Sequence, residues 1–352
     1  MPRETLDIRQ NVPLAPLTTL GVGGNARFFV KAASLDEVEA AARFAQDRNL
    51  GLFVVGGGSN LVISDRGWDG LVIQVGIDRI EQRPGGDQVV FEVGAGADWD
   101  NFVAHSVSEG CAGLECLSGI PGSVGGTPVQ NVGAYGQEVS QTIISVEVFD
   151  RGENKVRNLA AADCGFRYRT SIFNSSERGR YIIASVRYRL TPGKGPALLY
   201  ADLKKHFAGL PEPTLAQTRD AVRSIRASKG MLINPGDPDS RSAGSFFKNP
   251  VLSSWQHAQL VKRAAASGLE VPSYPALAEQ HKVSAAWLVE HSGFRKGYVR
   301  GNAAISTKHA LALINRGNAT ASEIIALQDE IQRGVERTWG IGLEPEPVLV
   351  GF

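Results

Sequence analysis

Apolar residues recur at helical spacing in several separate stretches of the chain. Over 34–48 they follow Ser34 and Glu37, the two polar residues of a capping box, which predicts an amphipathic helix. Asp98 is placed to cap a short helix that ends near Gly110. The same spacing predicts further helices over 214–229, 254–267, 283–291, 308–315 and 320–338, and the last of these opens with the capping-box residues Thr320 and Glu323.

Shorter apolar runs, bounded by glycine and proline, predict strands. The run 52–55 leads directly into three glycines, and the runs 142–150 and 181–190 are typical of buried strands. The runs 71–75 and 88–97 flank a Pro-Gly-Gly-Asp turn, which predicts a β-hairpin. Strands mixed with helices in this way predict an α+β fold.

The length of 352 residues is too great for one small core and indicates two or three modules. Composition changes over 191–213, where proline and glycine interrupt the pattern. We therefore expect an N-terminal arm over 1–17, a first domain over 18–192, a linker and loop over 193–213, a helix-rich second domain over 214–340 and a C-terminal strand over 341–352.

Composition excludes several classes of partner. Lysine and arginine number 37 against 36 aspartates and glutamates, so no overall field attracts nucleic acid or a membrane surface. The N-terminus lacks the apolar stretch of a signal peptide, and we expect a protein of the reducing cytoplasm. Cys111, Cys116 and Cys164 lack metal-site spacing and are expected to be buried thiols, and the histidines predict no metal site.

The stretch 118–139 is the most unusual of the chain. It holds glycines at 119, 122, 125, 126, 133 and 136 together with two prolines, which excludes a regular helix or central strand. A pair of tight surface turns is the ordinary explanation, but such turns need only one or two glycines each. The surplus favours a loop whose backbone closely approaches a large polar cofactor.

A second glycine loop follows the predicted strand 52–55. Its three consecutive glycines leave N–H groups able to converge on an anion such as a pyrophosphate. The loop matches neither the Walker pattern nor the Rossmann fingerprint. Residues 21–26 are nearer to that fingerprint, but Pro13 and Pro16 stand where its strand should be, so we reject a dinucleotide site there.

The two loops are similar to those of the FAD domain of the vanillyl-alcohol-oxidase type. Within that class, the chain resembles the UDP-N-acetylenolpyruvoylglucosamine reductase (MurB) family, in its longer, type I form. The resemblance extends over nearly the whole chain and rests on TTLGVGGNARFFV (18–30), VVGGGSNLVISD (54–65), GIPGSVGGTPVQNVGAYGQEV (119–139), CGFRYRTSIF (164–173), SAGSFFKNP (242–250) and LEPE (343–346).

The resemblance implies an FAD-binding domain of two α+β subdomains, followed by an α+β substrate-binding domain. It implies non-covalent FAD and NADPH as co-substrate, and we expect a monomeric enzyme. The residues expected to bind FAD lie in the two glycine loops: Gly56, Gly57, Gly58, Ser59, Asn60, Leu61, Gly119, Ile120, Pro121, Gly122, Gly125, Gly126, Gln130, Asn131, Gly133, Ala134 and Tyr135.

Three residues are expected to be catalytic on the same basis. By type alone, Arg169 is a surface arginine, Ser245 a turn residue and Glu346 an exposed tail residue. The resemblance implies that Ser245 donates a proton, while Arg169 and Glu346 stabilise an enolate intermediate. We therefore expect the C-terminal strand to return to the active site. The proline at 347 departs from the family and leaves the pairing of that strand in doubt.

Substrate binding is expected at four further residues. Tyr200 matches a family tyrosine in a loop that closes over the nucleotide sugar, and Asn249 is a candidate hydrogen-bonding partner. Arg226 and Lys229 are cations near the expected diphosphate, although the solvated face of a helix would explain them equally well.

The implied reaction is NADPH-dependent reduction of UDP-N-acetyl-3-O-(1-carboxyvinyl)-glucosamine to UDP-N-acetylmuramate, a step of peptidoglycan synthesis. Two alternatives remain at this stage. One is an oxidase with the same FAD fold, and the other is a flavin-binding or nucleotide-sugar-binding protein without turnover.

Overall fold

The computed structural model describes residues 6–276 and 279–352. Within these ranges, the α-helices are α1 (Leu35–Asp47), α2 (Trp99–Ser108), α3 (Ala201–His206), α4 (Leu215–Ser228), α5 (Ser254–Ala265), α6 (Ala285–Glu290) and α7 (Ala321–Trp339).

The strands in the described part of the chain outnumber the helices. They are β1 (Arg9–Pro13), β2 (Asn25–Ala32), β3 (Gly51–Val55), β4 (Leu61–Ile63), β5 (Trp68–Val75), β6 (Ile80–Gly85), β7 (Gln88–Gly94), β8 (Cys111–Ala112), β9 (Gly133–Ala134), β10 (Gln137–Glu138), β11 (Ile143–Asp150), β12 (Lys155–Ala160), β13 (Tyr181–Pro192), β14 (Ser242–Ser245), β15 (Val251–Leu252), β16 (Ser273–Pro275), β17 (His281–Val283), β18 (Val299–Arg300), β19 (Ala303–Ile305), β20 (Ala312–Asn315) and β21 (Val348–Val350).

The chain divides into two compact units. Unit 1 comprises Met1–Val12, Asn25–Gly58 and Trp68–Ser228, and unit 2 comprises Pro13–Gly24, Ser59–Gly67 and Lys229–Phe352. Each unit contains both helices and sheets, so the predicted α+β fold is confirmed.

Unit 1 contains two large sheets and a small antiparallel pair of β9 and β10. In the first, of order β1-β2-β5-β3, strands β2 and β3 both pair with β5 in parallel, and α1 buries Val38, Ala41, Ala42 and Ala45. Ser34 caps α1 as predicted, because its side chain accepts a hydrogen bond from the Glu37 N–H. The second sheet is antiparallel, of order β12-β11-β13-β7-β6, and β8 also pairs with β13. One cluster of buried apolar side chains joins the two sheets.

The predicted hairpin between 71–75 and 88–97 is wrong. Residues 71–75 belong to β5, which lies between β2 and β3, whereas β7 forms its hairpin with β6. Strand β6 is largely exposed, so it lacks the apolar run that identifies a buried strand. Strand β5 is apolar on both faces, which is typical of a parallel strand inside a covered sheet.

Unit 2 contains a sheet of order β14-β20-β19-β18, a smaller sheet of order β15-β17-β16, and a parallel pair of β4 and β21. Helix α7 begins at the predicted capping box of Thr320 and Glu323. Asp65 adds a second cap, because its carboxylate accepts hydrogen bonds from the N–H groups of Ala321 and Ser322 at 2.7 and 2.9 Å.

Residues 308–315 do not form the predicted helix. They contain β20, which pairs with β14 and β19 through Ala312–Asn315. The segment is a short apolar run, and periodicity alone does not distinguish a buried strand from a helix in such a run. The short helix α3, within the predicted linker, was also missed.

The two units differ from the predicted domain boundaries. Helix α4 lies in unit 1, because its Ala221 and Val222 pack with Cys116 and Leu203. Residues 13–24 and 59–67 lie in unit 2, where Leu20 and Val62 enter its apolar core. The predicted arm contains β1 and a 3-10 helix over Ala15–Leu17, and its first five residues lie outside the described residues. No helix among the described residues is both long and apolar enough to cross a membrane.

The three cysteines are buried, unbridged thiols, as predicted. Burial raises the pKa of Cys116 and of Cys164 to about 12, and the neighbouring Glu115 and Asp163 carboxylates add to this effect. Burial also raises the pKa of Cys111. At pH 8 the thiolate fraction of Cys116 is therefore far below that of an ordinary thiol.

We expect the folded protein to react very slowly with a thiol-specific disulfide reagent at pH 8. All three thiols should react at once after denaturation, because the buried environment that suppresses ionisation is then lost. The measurement is the absorbance of the released chromophore with and without denaturant. Fast release from the folded protein would contradict the buried state of at least one thiol.

Candidate functional site

The two predicted glycine loops pack against each other within unit 1. A Cβ added at Gly57 would lie 2.5 Å from the Cα of Gly122, and one at Gly56 would lie 2.5 Å from the Ser123 Oγ. A Cβ added at Gly125 would likewise lie 2.6 Å from the Cβ of Ala95. These glycines therefore permit close backbone packing between the loops, a role beyond the predicted approach to a ligand.

Two features of the second loop fit a bound polar group. The Ser123 Oγ is buried and, among the described residues, makes no hydrogen bond to the protein. Gly126 lies in the same turn, is exposed, and would carry an added Cβ without meeting a protein atom within 4 Å. Ser123 was absent from the predicted site residues, because a serine before two glycines is ordinary turn chemistry.

The Gly119 peptide is held from both sides. Its N–H donates to the Asp100 carboxylate at 2.6 Å, and its carbonyl accepts from the Arg226 Nε at 3.0 Å. Asp100 also pairs with Arg219, at 2.5 and 3.0 Å, and with Arg223. The start of the second loop is thereby tied to helices α2 and α4.

Asp100 is the acceptor on which this arrangement depends. Burial by itself would raise its pKa, but the hydrogen bonds from Arg219 and Gly119 outweigh burial and hold the pKa below 3.8. The Arg226 guanidinium is affected most by burial, which lowers its pKa, against the opposing effects of Tyr135 and Asp100.

We expect Asp100→Asn to lower the free energy of unfolding by about 1–2 kcal/mol at pH 7, less than for a fully buried pair because solvent screens part of the cluster. A lowered folded-state pKa means that the carboxylate contributes fully above pH 3.8 and loses its contribution as the pH falls through the folded-state value. The difference between wild type and variant in urea unfolding should therefore shrink below pH 3.8. A difference that is constant with pH would contradict this assignment.

Arg169 and the second loop come together within unit 1. The Arg169 guanidinium donates to the Gly133 carbonyl at 3.0 Å, and the Asn131 side chain donates to the Arg167 carbonyl at 3.1 Å. Arg169 lies in a tight turn closed by mutual hydrogen bonds between Arg167 and Thr170, with a φ of 55°. Asn131 and Tyr135 also have positive φ, at 45° and 49°, so backbone strain clusters around these two segments.

The predicted substrate residues Tyr200 and Arg226 meet at Tyr135. The rings of Tyr135 and Tyr200 form an edge-to-face pair with centroids 5.4 Å apart, and Arg226 is hydrogen-bonded to the Tyr135 side chain. Buried Glu115 holds the chain before Tyr200 next to the second loop. Its carboxylate accepts hydrogen bonds from the Ala197 N–H at 3.2 Å and from the Gln137 side-chain amide at 2.8 Å. Sequence reasoning had no signal for Glu115, because its partners lie far away along the chain.

In unit 2, Ser245 ends β14 next to a bulge. Ser242 pairs with Ile314 and Ser245 with Ala312, so β14 carries one extra residue relative to β20. Gly244 provides the required backbone conformation with a φ of 76°, and its N–H donates to the Ser242 Oγ at 3.3 Å. The Ser245 Oγ lies 3.5 Å from the His309 Nε2.

Glu346 lies beside the same strand end. Its N–H donates to the Phe246 carbonyl at 2.9 Å, and its carbonyl accepts from the Asn60 side chain at 3.2 Å. The missing N–H of Pro347 disturbs no pairing, because β21 begins at Val348, whose N–H donates to the Asn60 carbonyl. Ser245, Glu346 and Asn60 are thus neighbouring segments of unit 2.

The remaining predicted residues fall on both units. Asn249 accepts from the Ala285 N–H at 2.9 Å and so holds the start of α6. Lys229 is the first residue of the last segment of unit 2, directly after α4. The other predicted cofactor residues follow the chain of the two loops: Gly58, Ile120, Pro121, Gln130 and Ala134 in unit 1, and Ser59 and Leu61 in unit 2.

Two family profiles match the chain. The FAD binding domain matches residues 26–159, and the C-terminal domain of UDP-N-acetylenolpyruvoylglucosamine reductase matches residues 237–350. The first match contains both glycine loops and helix α2 with Asp100, and the second contains Ser245 and Glu346.

The chain is also similar to full-length proteins. It is 50% identical over 355 residues to a UDP-N-acetylenolpyruvoylglucosamine reductase of Thermobifida fusca, with 99% of each chain covered. It is 44% identical to that of Streptomyces coelicolor, with 100% of this chain and 93% of the relative covered. The crystal structure of the reductase (MurB) from Thermus caldophilus superposes with a TM-score of 0.66 at 25% identity, covering 98% of this chain and 99% of that one. The chain therefore belongs to the UDP-N-acetylenolpyruvoylglucosamine reductase (MurB) family.

Proposed function

We propose that the protein reduces UDP-N-acetyl-3-O-(1-carboxyvinyl)-glucosamine to UDP-N-acetylmuramate with NADPH, for peptidoglycan synthesis in the cytoplasm. The observation that carries the proposal is its full-length similarity to this reductase family, at 50% identity to one relative. We further propose that the chain acts as a monomer of the type I form.

FAD would be held by the two glycine loops. The buried Ser123 Oγ and the exposed backbone at Gly126 fit a bound flavin nucleotide, and the Asp100 and Arg226 hydrogen bonds fix the Gly119 peptide that begins the second loop. The chemistry that FAD supplies there, when bound, is hydride transfer from NADPH to the vinyl terminus of the substrate.

Ser245 donates the proton that completes the reduction. Its O–H bond breaks while a C–H bond forms at the substrate carbon that bears the carboxylate. Arg169 binds this carboxylate through its fixed guanidinium donors and stabilises the charge that spreads into the enolate. Glu346 is the third catalytic residue, and it orients the groups around Ser245 from the neighbouring segment of unit 2.

The nucleotide part of the substrate is bound by Tyr200, Arg226 and Lys229, and Asn249 is a further hydrogen-bonding partner of the substrate. Tyr200 belongs to the segment that Glu115 holds against the second loop, and its edge-to-face contact with Tyr135 supports a role in covering the ligand. The cations Arg226 and Lys229 suit the diphosphate.

A two-stage anaerobic titration tests the proposal. The visible absorbance of the flavin is followed while NADPH is added to the purified protein, and then while the enolpyruvyl nucleotide sugar is added. We expect bleaching in the first stage and recovery in the second. Bleaching that recovers only with air would favour an oxidase, and no response to NADPH would favour a binding protein without turnover.

A further inference from the structure

We propose that His309 is a positioning residue for Ser245, to which it donates a hydrogen bond from its Nε2–H. The inference rests on the proposed role of Ser245 as proton donor. This hydrogen bond would direct the hydroxyl proton of Ser245 towards the substrate. It would also stabilise the negative charge that develops on the serine oxygen when the proton leaves.

The tautomer of His309 follows from its contact with the main chain. The Leu311 N–H donates to the His309 Nδ1 at 3.0 Å. A backbone N–H can only donate, so Nδ1 must carry a lone pair and no proton. The ring proton of the neutral imidazole therefore lies on Nε2, which makes this nitrogen a donor.

His309 is also held firmly in its turn. Its N–H donates to the Oγ of fully buried Ser306 at 3.2 Å, and its carbonyl accepts from the Ala312 N–H at 3.1 Å. With the Nδ1 contact, three hydrogen bonds fix the backbone and the ring. A ring held in this way can orient its partner without losing side-chain entropy during the reaction.

The same short segment fixes Ser245. The Leu311 carbonyl accepts from the Phe246 N–H at 2.7 Å, and Ser245 pairs with Ala312 across the bulge. Leu311 thus holds the ring through its N–H and the serine strand through its carbonyl. The separation of the His309 Nε2 and the Ser245 Oγ, 3.5 Å, is at the long end of hydrogen-bonding distance and is set by these two main-chain contacts.

This geometry has a chemical consequence. Because Nε2 is the donor, the Ser245 Oγ accepts, and its own proton points away from His309. When that O–H bond breaks and the substrate C–H bond forms, the charge that develops on the Oγ faces an N–H already in place. After product release, the serine oxygen regains a proton from water.

Two variants separate the parts of the His309 side chain. His309→Asn keeps an acceptor for the Leu311 N–H but has no donor at the position of Nε2. His309→Gln places an amide N–H near that position. We expect His309→Asn to slow substrate reduction by about 10- to 100-fold, which is at or below the usual effect of removing one hydrogen-bond donor to a developing anion. We expect His309→Gln to retain most of the wild-type rate.

The rate of substrate reduction is followed anaerobically by stopped flow, starting from NADPH-reduced protein, with solvent isotope effects. Adding His309→Asn to Ser245→Ala should slow the step no further, since His309 acts through Ser245. The solvent isotope effect on substrate reduction should be larger in His309→Asn than in the wild-type protein. Reduction by NADPH should be unchanged, and exposed His291→Gln should match wild type in both stages.

The outcomes distinguish this inference from the proposed function. An unimpaired Ser245→Ala would remove Ser245 from the reaction. An impaired Ser245→Ala with an unimpaired His309→Asn, or with losses that multiply in the double variant, would overturn the role of His309 alone. Ring nitrogen NMR shifts of the flavin-free, ¹⁵N-histidine-labelled protein test the tautomer directly, and a His309 protonated at Nδ1 would also overturn it.

Discussion

Ser245→Ala is expected to leave flavin reduction by NADPH intact and to slow substrate reduction by about 10²- to 10⁴-fold, the range for loss of a general acid. The side chain is small and its Oγ lies 3.5 Å from the His309 Nε2, so its loss leaves β14 and its bulge in place. The defect should therefore be confined to the second stage. Stopped-flow absorbance of the two stages measures this separation.

Two control variants test whether the effect of Ser245→Ala comes from the loss of this particular hydroxyl group. Ser108→Ala removes a hydroxyl from an exposed helix end and should match wild type. Gly244→Ala keeps the hydroxyl but disfavours the φ of 76° that sets the bulge, although the added Cβ meets no protein atom within 4 Å. An intermediate defect in Gly244→Ala is expected, because the serine is then present but less well placed. Equal second-stage rates in Ser245→Ala and wild type would contradict the assignment.

Local signals predicted the parts of the fold that depend on neighbouring residues. The caps at Ser34, Asp98 and Thr320 and the helices that follow them were predicted correctly, because a capping residue acts on N–H groups two or three positions away. Strand pairing was harder to predict. Whether β5 pairs with β3 or β7 depends on which faces are covered, and that is decided by residues far along the chain.

The same division holds in the site. The glycine loops could be found from their composition. Asp100, Glu115 and His309 could not be found in this way, because their partners Gly119, Ala197 and Ser245 lie far from them along the chain. The positive φ of Arg169 has no sequence signal either, because arginine rarely adopts it. Such strain persists only where surrounding contacts hold it.

Gly57→Ala is expected to destabilise the flavin-free protein by about 1–3 kcal/mol, the usual cost of overpacking, and to abolish tight FAD binding. The added Cβ would lie 2.5 Å from the Gly122 Cα and 2.7 Å from its carbonyl carbon. These are backbone atoms, so one of the two loops must move. Thermal unfolding of the flavin-free protein and a fluorescence titration with FAD measure the two effects.

Gly126→Ala is the matched control, because it adds the same methyl group to the same pair of loops without a protein contact within 4 Å. Its flavin-free form should unfold at the wild-type temperature. Weaker FAD binding with unchanged stability would assign Gly126 to the cofactor and Gly57 to the packing of the loops. If Gly126→Ala binds FAD as wild type does, the flavin does not contact this turn. If Gly57→Ala is as stable as wild type, the two loops can move apart without loss of stability, and their close packing does not shape the site.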